Sequence, residues 1–173
     1  DTPRRFANLM NAYKADKCGR AAEVEDLIQF AMDREQFTHA LQDGGVPLRV
    51  THNDTKLNNI LLDKDSFEAI CVIDLDTIMP GYTANDFGDM IRFGANTAKE
   101  DEADLNKVQV NMELYEACVR GYIQGCNGGL TEQELLMLPV GAKMMTFECG
   151  MRFLTDYLDG DTSFKTTRPN HNL

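Results

Sequence analysis

A mostly helical α+β domain with a small β region in the middle of the chain is the fold class that three features of the sequence predict. Apolar residues recur at helical spacing up to Gly44-Gly45 and again beyond Pro80-Gly81. Between these stretches lie three short apolar runs rich in β-branched residues, joined by polar connections. Neither internal repeats nor low-complexity segments interrupt the 173 residues, which are one domain's worth of chain.

Phe6, Leu9, Met10 and Tyr13 fall on one helical face, and Gly19 marks the stop. The same period runs from Ala22 through Val24, Leu27, Ile28, Ala31 and Met32 to Phe37, Ala40 and Leu41, and predicts one longer helix ending at Gly44-Gly45. The runs Leu48–Thr51, Asn59–Leu62 and Ala69–Ile73 predict three short strands. Helical spacing resumes over Asp86–Phe93, then in Leu105, Val108, Met112, Tyr115, Val119, Tyr122 and Ile123, and stops at Asn127-Gly128-Gly129. Thr131 and Glu134 have capping-box spacing, in which each side chain satisfies the other's free backbone N–H at the start of a last, apolar helix. The tail from Gly160 to Leu173 is polar and irregular.

The charge balance of 17 Lys+Arg against 28 Asp+Glu gives a net −11, which disfavours a broad phosphate-neutralising surface. Sequence-independent binding to nucleic acid or to anionic membranes is therefore not expected. Leu135–Leu154 is broken by Pro139, Lys143, Glu148 and Arg152 and does not make a bilayer span. The five cysteines are widely spaced, with no C-x-x-C and no signal peptide, which fits reduced thiols and a cytoplasmic setting.

The most informative stretch is Thr51-His52-Asn53-Asp54-Thr55-Lys56-Leu57-Asn58-Asn59, which has the form H-x-D-x-x-x-x-N between apolar strands. Phosphoryl transfer needs a carboxylate beside the acceptor hydroxyl and oxygen ligands that hold Mg²⁺ against nucleotide phosphates. A loop anchored by a strand at each end can present Asp54 and Asn59 to one point. Twenty residues after Asp54, Asp74 stands at the end of the third strand, where a carboxylate can complete a metal shell. Asp54 is thus the candidate base, and Asn59 and Asp74 are candidate ligands of Mg²⁺ and the nucleotide. Asp76 is either a further metal-facing carboxylate or a cap of the turn before Pro80. His52 is expected to hold the loop through a backbone hydrogen bond rather than to carry a proton.

These residues resemble the catalytic half of the aminoglycoside phosphotransferase and choline kinase family, which is related to protein kinases. The resemblance runs from His52 to about Arg92 and more loosely beyond. It implies that Asp54 is the base, that Asn59 and Asp74 bind magnesium, that Asp86 steadies the loop, and that ATP and Mg²⁺ are the cofactors. Lys56 sits where protein kinases carry a lysine that meets the transferring phosphate. The runs Asp74–Gly81 and Asp86–Ala95, with the loop itself, are similar to bacterial N-acetylhexosamine 1-kinases, which phosphorylate the anomeric hydroxyl of an amino sugar. On that resemblance Phe93 and Arg152 become acceptor-site candidates beside Asp54. Each also has a plain structural explanation, Phe93 as core and Arg152 as the i,i+4 partner of Glu148.

Two motifs point elsewhere. Asp86-Phe87-Gly88 spells the magnesium motif of protein kinases, but it lies 32 residues past Asp54 and opens a helix, so Asp86 is expected to cap that helix and brace the loop. Val72–Thr77 has the look of a haloacid-dehalogenase nucleophile strand, but that fold needs alternating strands and helices behind it, and the chain beyond Gly81 is helical almost throughout. Neither a Gly-rich loop after a strand nor a V-A-I-K-like strand occurs. The chain is therefore expected to be a C-terminal catalytic and acceptor-binding lobe, sharing its nucleotide with an N-terminal lobe outside it and nearly inactive alone. The expected reaction is phosphorylation of an amino sugar. A choline, homoserine or aminoglycoside kinase and a non-catalytic binding lobe are the alternatives.

Overall fold

A computed structural model describes residues 1–173. The helices in chain order are α1 (Thr2–Ala15), α2 (Glu25–Met32), α3 (Ala40–Asp43), α4 (Thr83–Gly94), α5 (Met112–Gly125) and α6 (Glu132–Asp159). The strands are β1 (Arg49–Thr51), β2 (Ile60–Leu62), β3 (Ala69–Val72) and β4 (Met79–Gly81). The chain divides into two compact units, Asp1–Asp43 with Thr146–Leu173, and Gly44–Met145. No helix is long and apolar enough to cross a membrane.

In the first unit the apolar stripe of α1 buries Phe6, Leu9 and Ala12 against Val24, Ile28, Ala31, Met151, Leu154, Tyr157 and Leu158. The single long helix expected over Ala22–Leu41 does not form. Short 3₁₀ turns at Ala21–Glu23 and Glu35–His39 flank α2 instead. The polar run Asp33-Arg34-Glu35 supplies the break, because Arg34 donates to the Phe30 carbonyl at 3.0 Å and so satisfies a carbonyl that the next turn would otherwise bond. The irregular tail is held by the buried Asp156, whose carboxylate accepts from the backbone N–H groups of Thr162, Ser163 and Phe164 and from the Asn172 amide.

In the second unit the strands form two separate antiparallel pairs. β1 pairs with β4 in the register Arg49↔Gly81 and Thr51↔Met79. β2 pairs with β3 in the register Ile60↔Val72, with an irregularity between Leu61 and Leu62. β4 was not expected, because Pro80-Gly81 served only as the boundary beyond which helical spacing resumes. A two-stranded ladder has only edges, so it tolerates the proline, and Gly81 is required because any Cβ there would collide with the Thr51 hydroxyl. Behind the strands Phe87, Ile91, Ala95 and Leu138 are buried with Tyr115, Val119 and Tyr122 packed around them. Phe87 meets Tyr122 edge-on at 5.3 Å between ring centres. The helix expected from Leu105 begins only at Met112, because Asn111 caps it by accepting from the Leu114 N–H at 3.1 Å.

The capping box at α6 forms as the spacing predicts. The Glu134 N–H donates to the Thr131 hydroxyl and the Thr131 N–H donates to Glu134. Glu134 also takes two bonds from the Arg49 guanidinium, 3.0 and 2.8 Å, and so ties β1 to the start of α6. The hydrogen bond from Arg49 is the main reason that the buried Glu134 carboxyl is held down at about 2. A depressed carboxylate adds stability that is present above its unfolded value and lost as pH falls through the folded one. The wild type should therefore exceed Glu134→Gln by on the order of 2 kcal/mol at pH 7, a figure lowered for the partly solvated arginine. Urea unfolding should show that gap closing between about pH 4.5 and 2, and a gap constant with pH would refute the assignment.

Candidate active site

The loop between β1 and the 3₁₀ turn Leu57–Asn59 is fixed from several directions, all within the second unit. From α4, the Asp86 carboxylate accepts from the backbone N–H groups of His52 at 2.9 Å and Asn53 at 2.7 Å. The Thr55 hydroxyl donates to the Asp86 carbonyl, so the same residue grips the loop on both sides of Asp54. Just past β3, the Ile73 carbonyl accepts from His52 Nε2 at 3.0 Å, which puts the ring proton on Nε2. From the turn beyond it, the Thr77 hydroxyl donates to the His52 carbonyl at 2.6 Å, and the Asn53 amide bridges the Thr51 and Thr77 carbonyls. Asn53 itself has a left-handed backbone, φ 63°, which an asparagine accepts more readily than most side chains.

Asp54 stands at the centre of this frame. Its Oδ2 accepts from Lys56 Nζ at 2.7 Å and from Asn59 Nδ2 at 2.8 Å. Asn59 Nδ2 also donates to the Asp54 carbonyl, so the amide nitrogen faces Asp54 and the amide oxygen is turned the other way. Burial pushes the Asp54 carboxyl up, but the hydrogen bonds from Lys56 and Asn59 outweigh it and hold the group below its usual range. Lys56 is raised in turn, first by its bond to Asp54 and further by the charges of Asp74 and Asp89. Asp86 moves the opposite way, because its burial outweighs the two backbone N–H groups it accepts from.

Asp74 lies two residues beyond β3 with a left-handed backbone, φ 63°, and its exposed carboxylate does not cap the 3₁₀ turn Leu75–Thr77 that it precedes. The Ile73 N–H donates to the Asn59 carbonyl at 2.9 Å, which sets Asp74 next to the residue paired with Asn59. Asp76 is exposed in the same turn. The donor set of Asn59 and Asp74 consists of hard oxygens, one of them turned outward by the Asn59–Asp54 bond. It suits Mg²⁺, which takes one or two carboxylates and completes its shell with phosphate oxygens and water. The chain offers no larger cluster, since no three Asp, Glu, His or Cys side chains converge anywhere.

Of the other expected positions, Asp86 braces the loop as the resemblance implies, but it does not cap α4. The helix begins at Thr83 after Tyr82, which places Asp86 inside the first turn, where its side chain can reach across to the loop. Phe93 is half-buried two turns further along α4. Arg152 belongs to the first unit and lies over the Phe164 ring, 5.6 Å from its centre, while Glu148 accepts from Thr2 and faces Arg5. The i,i+4 pairing of Glu148 with Arg152 gives way to the contact with α1.

Sequence reasoning missed Asn53, Thr55, Thr77 and Asp89. Thr77 and Asn53 carried a signal, since small polar residues flanking a candidate base commonly bond the backbone around it. Asp89 was hidden behind the more conspicuous Asp86-Phe87-Gly88.

A strand-anchored loop that presents an ionised aspartate held by a lysine and an asparagine, with a second aspartate at a neighbouring strand end, is the layout of a phosphotransferase of the protein-kinase-like kind. The model of the APH phosphotransferase enzyme family matches residues 1–122, which take in the loop, Asp74 and α4. The chain belongs to that family.

Proposed function

We propose that the chain is the C-terminal catalytic lobe of an ATP- and Mg²⁺-dependent kinase that phosphorylates the anomeric hydroxyl of an N-acetylhexosamine. The observation that carries the kinase reading is the Asp54 carboxylate, ionised and aimed by two donors on one oxygen while its loop is clamped by Asp86. The amino-sugar acceptor rests on the similarity of Asp54–Asn59, Asp74–Gly81 and Asp86–Ala95 to the N-acetylhexosamine kinases.

In this reading the second Asp54 oxygen orients the acceptor hydroxyl and takes its proton as the acceptor oxygen bonds to the γ-phosphorus of ATP and the P–O bond to the departing ADP breaks. Lys56 lies against Asp54 and offsets negative charge on the phosphoryl group in transit. Asn59 Oδ1 and Asp74 would hold the metal, and Asp76, exposed in the turn that follows Asp74, is the further carboxylate that could face it. Mg²⁺ bound there with the nucleotide would supply positive charge to offset that of the phosphate oxygens. Phe93 is assigned to the acceptor on resemblance, as an aromatic face on which a sugar ring can rest. In this reading the nucleotide is shared with an N-terminal lobe, and the 173 residues turn over little by themselves.

The test is ATP consumption by the full-length protein with Mg²⁺ across N-acetylglucosamine, N-acetylgalactosamine, choline, homoserine and kanamycin. Selective turnover with the amino sugars, giving a 1-phosphate, is the expected result. Turnover with one of the others moves the acceptor within the family. No turnover with any of them removes the sugar-kinase assignment and favours a non-catalytic binding lobe.

A further inference from the structure

We propose that Thr77 and Asn53 are positioning residues: their hydrogen bonds latch the turn that carries Asp74 and Asp76 onto the loop that carries Asp54, and so set where the metal ligands stand relative to the base. The inference deepens the kinase reading and rests on it. The Thr77 hydroxyl donates to the His52 carbonyl at 2.6 Å, and the Asn53 amide returns a bond to the Thr77 carbonyl at 3.0 Å. The exchange is reciprocal, and its two loop partners directly precede Asp54. The same Asn53 nitrogen donates to the Thr51 carbonyl at 3.1 Å, which ties the latch to the end of β1.

Packing does little to hold this turn. From Ala69 to Pro80 no residue is buried, and the two that are half-buried, Ile73 and Thr77, are the ones bonded to the loop. At the near end the Ile73 carbonyl accepts from His52 Nε2 at 3.0 Å, and the Ile73 N–H donates to the Asn59 carbonyl at 2.9 Å. At the far end the latch at Thr77 is the first attachment, and the pairing of β4 with β1 begins only at Met79. Asp74 and Asp76 lie between these two ends, both exposed. Asn53 and Asp74 each hold a left-handed backbone, φ 63°. A non-glycine residue persists in that conformation only where its surroundings over-determine it. On an exposed turn that task falls to the hydrogen bonds at its two ends.

The experiment compares the full-length wild type with Thr77→Val, Thr77→Ser and Asn53→Gly. Valine removes the hydroxyl donor and keeps the branched shape, serine keeps the donor, and glycine removes the Asn53 amide while suiting φ 63°. Three quantities are read: Mn²⁺ binding in the presence of ADP by electron paramagnetic resonance, amide exchange over residues 73–79, and kinetics with the acceptor that the wild type turns over. Thr77→Val should weaken Mn²⁺ binding by about 10- to 100-fold and lower kcat by a similar factor, with KM for the acceptor unchanged. Exchange over the turn should quicken while the unfolding midpoint moves by a few degrees at most. Asn53→Gly should behave as Thr77→Val does, and Thr77→Ser should return all three readouts to wild-type values. Wild-type Mn²⁺ affinity and kcat in Thr77→Val and Asn53→Gly would overturn the proposal. So would an equal loss in Thr77→Ser, since the hydroxyl would then not be the group that matters. Should Thr77→Val not fold, Asn53→Gly set against Thr77→Ser makes the same comparison. Quickened exchange in the variants of a protein that neither binds Mn²⁺ with ADP nor turns over would keep the latch and sink the kinase reading. Metal binding and turnover that survive a loosened turn would do the reverse.

Discussion

Replacing Asp54 by Asn in the full-length protein is expected to lower kcat/KM by about 10³-fold or more while leaving the unfolding midpoint nearly unchanged. The two halves of that expectation have separate causes. Loss of a positioned proton acceptor removes an interaction made only as the acceptor oxygen attacks, so kcat falls while KM for ATP holds. The fold is insulated, because Asp54 is part-exposed and the clamps on its loop come from Asp86, Thr77 and the Ile73 carbonyl. The isosteric amide keeps an oxygen for Lys56 and Asn59, and a partly exposed ion pair contributes on the order of 1 kcal/mol.

The direction of the Asp54 shift adds a second readout. Hydrogen bonds from Lys56 and Asn59 outweigh burial and hold the carboxyl below its ordinary 3.8. Asp54 therefore stays ionised throughout the working range, and any acid limb that it causes in kcat/KM falls below pH 3.8. A depressed carboxylate is a weak base, which agrees with a phosphoryl transfer that is largely dissociative and needs the hydroxyl aimed more than it needs it deprotonated early. An Asp54→Asn protein with wild-type turnover would remove the residue from this role.

The candidate loop was legible because the residues that compose it lie close together in the chain. His52, Asp54 and Asn59 fall within one loop, and apolar runs on both sides mark the strands that anchor it. Asp74 was legible for the same reason, one strand later. The features that the sequence did not show are those decided by long-range packing. The apolar period from Ala22 to Leu41 is continuous in projection, yet the charged run at Asp33–Glu35 and the bond from Arg34 to the Phe30 carbonyl break the helix. Pro80 and Gly81 read only as the boundary before a helix but form a strand, because β1 offers an edge and the Thr51 hydroxyl excludes any side chain at Gly81. Asp86 was placed at a helix start by its motif. Only the fold shows that Tyr82 precedes the helix and that Asp86 reaches across to two backbone N–H groups.

Gly141→Ala is expected to destabilise the protein by about 2 kcal/mol or more, against the sign that helix propensity alone gives. Gly141 and Gly88 mark the place where α6 crosses α4. A Cβ on Gly141 would overlap the Ala84 carbonyl, and one on Gly88 would overlap the Gly141 carbonyl. Both obstacles are backbone, which cannot swing aside as a flexible side chain can, so the helices must separate. Gly150, in the same helix, has nothing within 4 Å of its Cβ position. There the usual gain from replacing a helical glycine, about 0.5–1 kcal/mol, should appear. Opposite signs at two glycines of one helix isolate packing from propensity, and chemical denaturation of the two variants beside the wild type reads both. The consequence for function comes through α4. Ala84 and Asp86 share its first turn, so pushing that turn away from α6 shifts the carboxylate that holds the His52 and Asn53 N–H groups. Gly141→Ala should therefore also lower kcat in the fraction that remains folded, whereas Gly150→Ala should not. A Gly141→Ala protein as stable as Gly150→Ala would show that the helices part without cost and that α4 does not depend on this crossing.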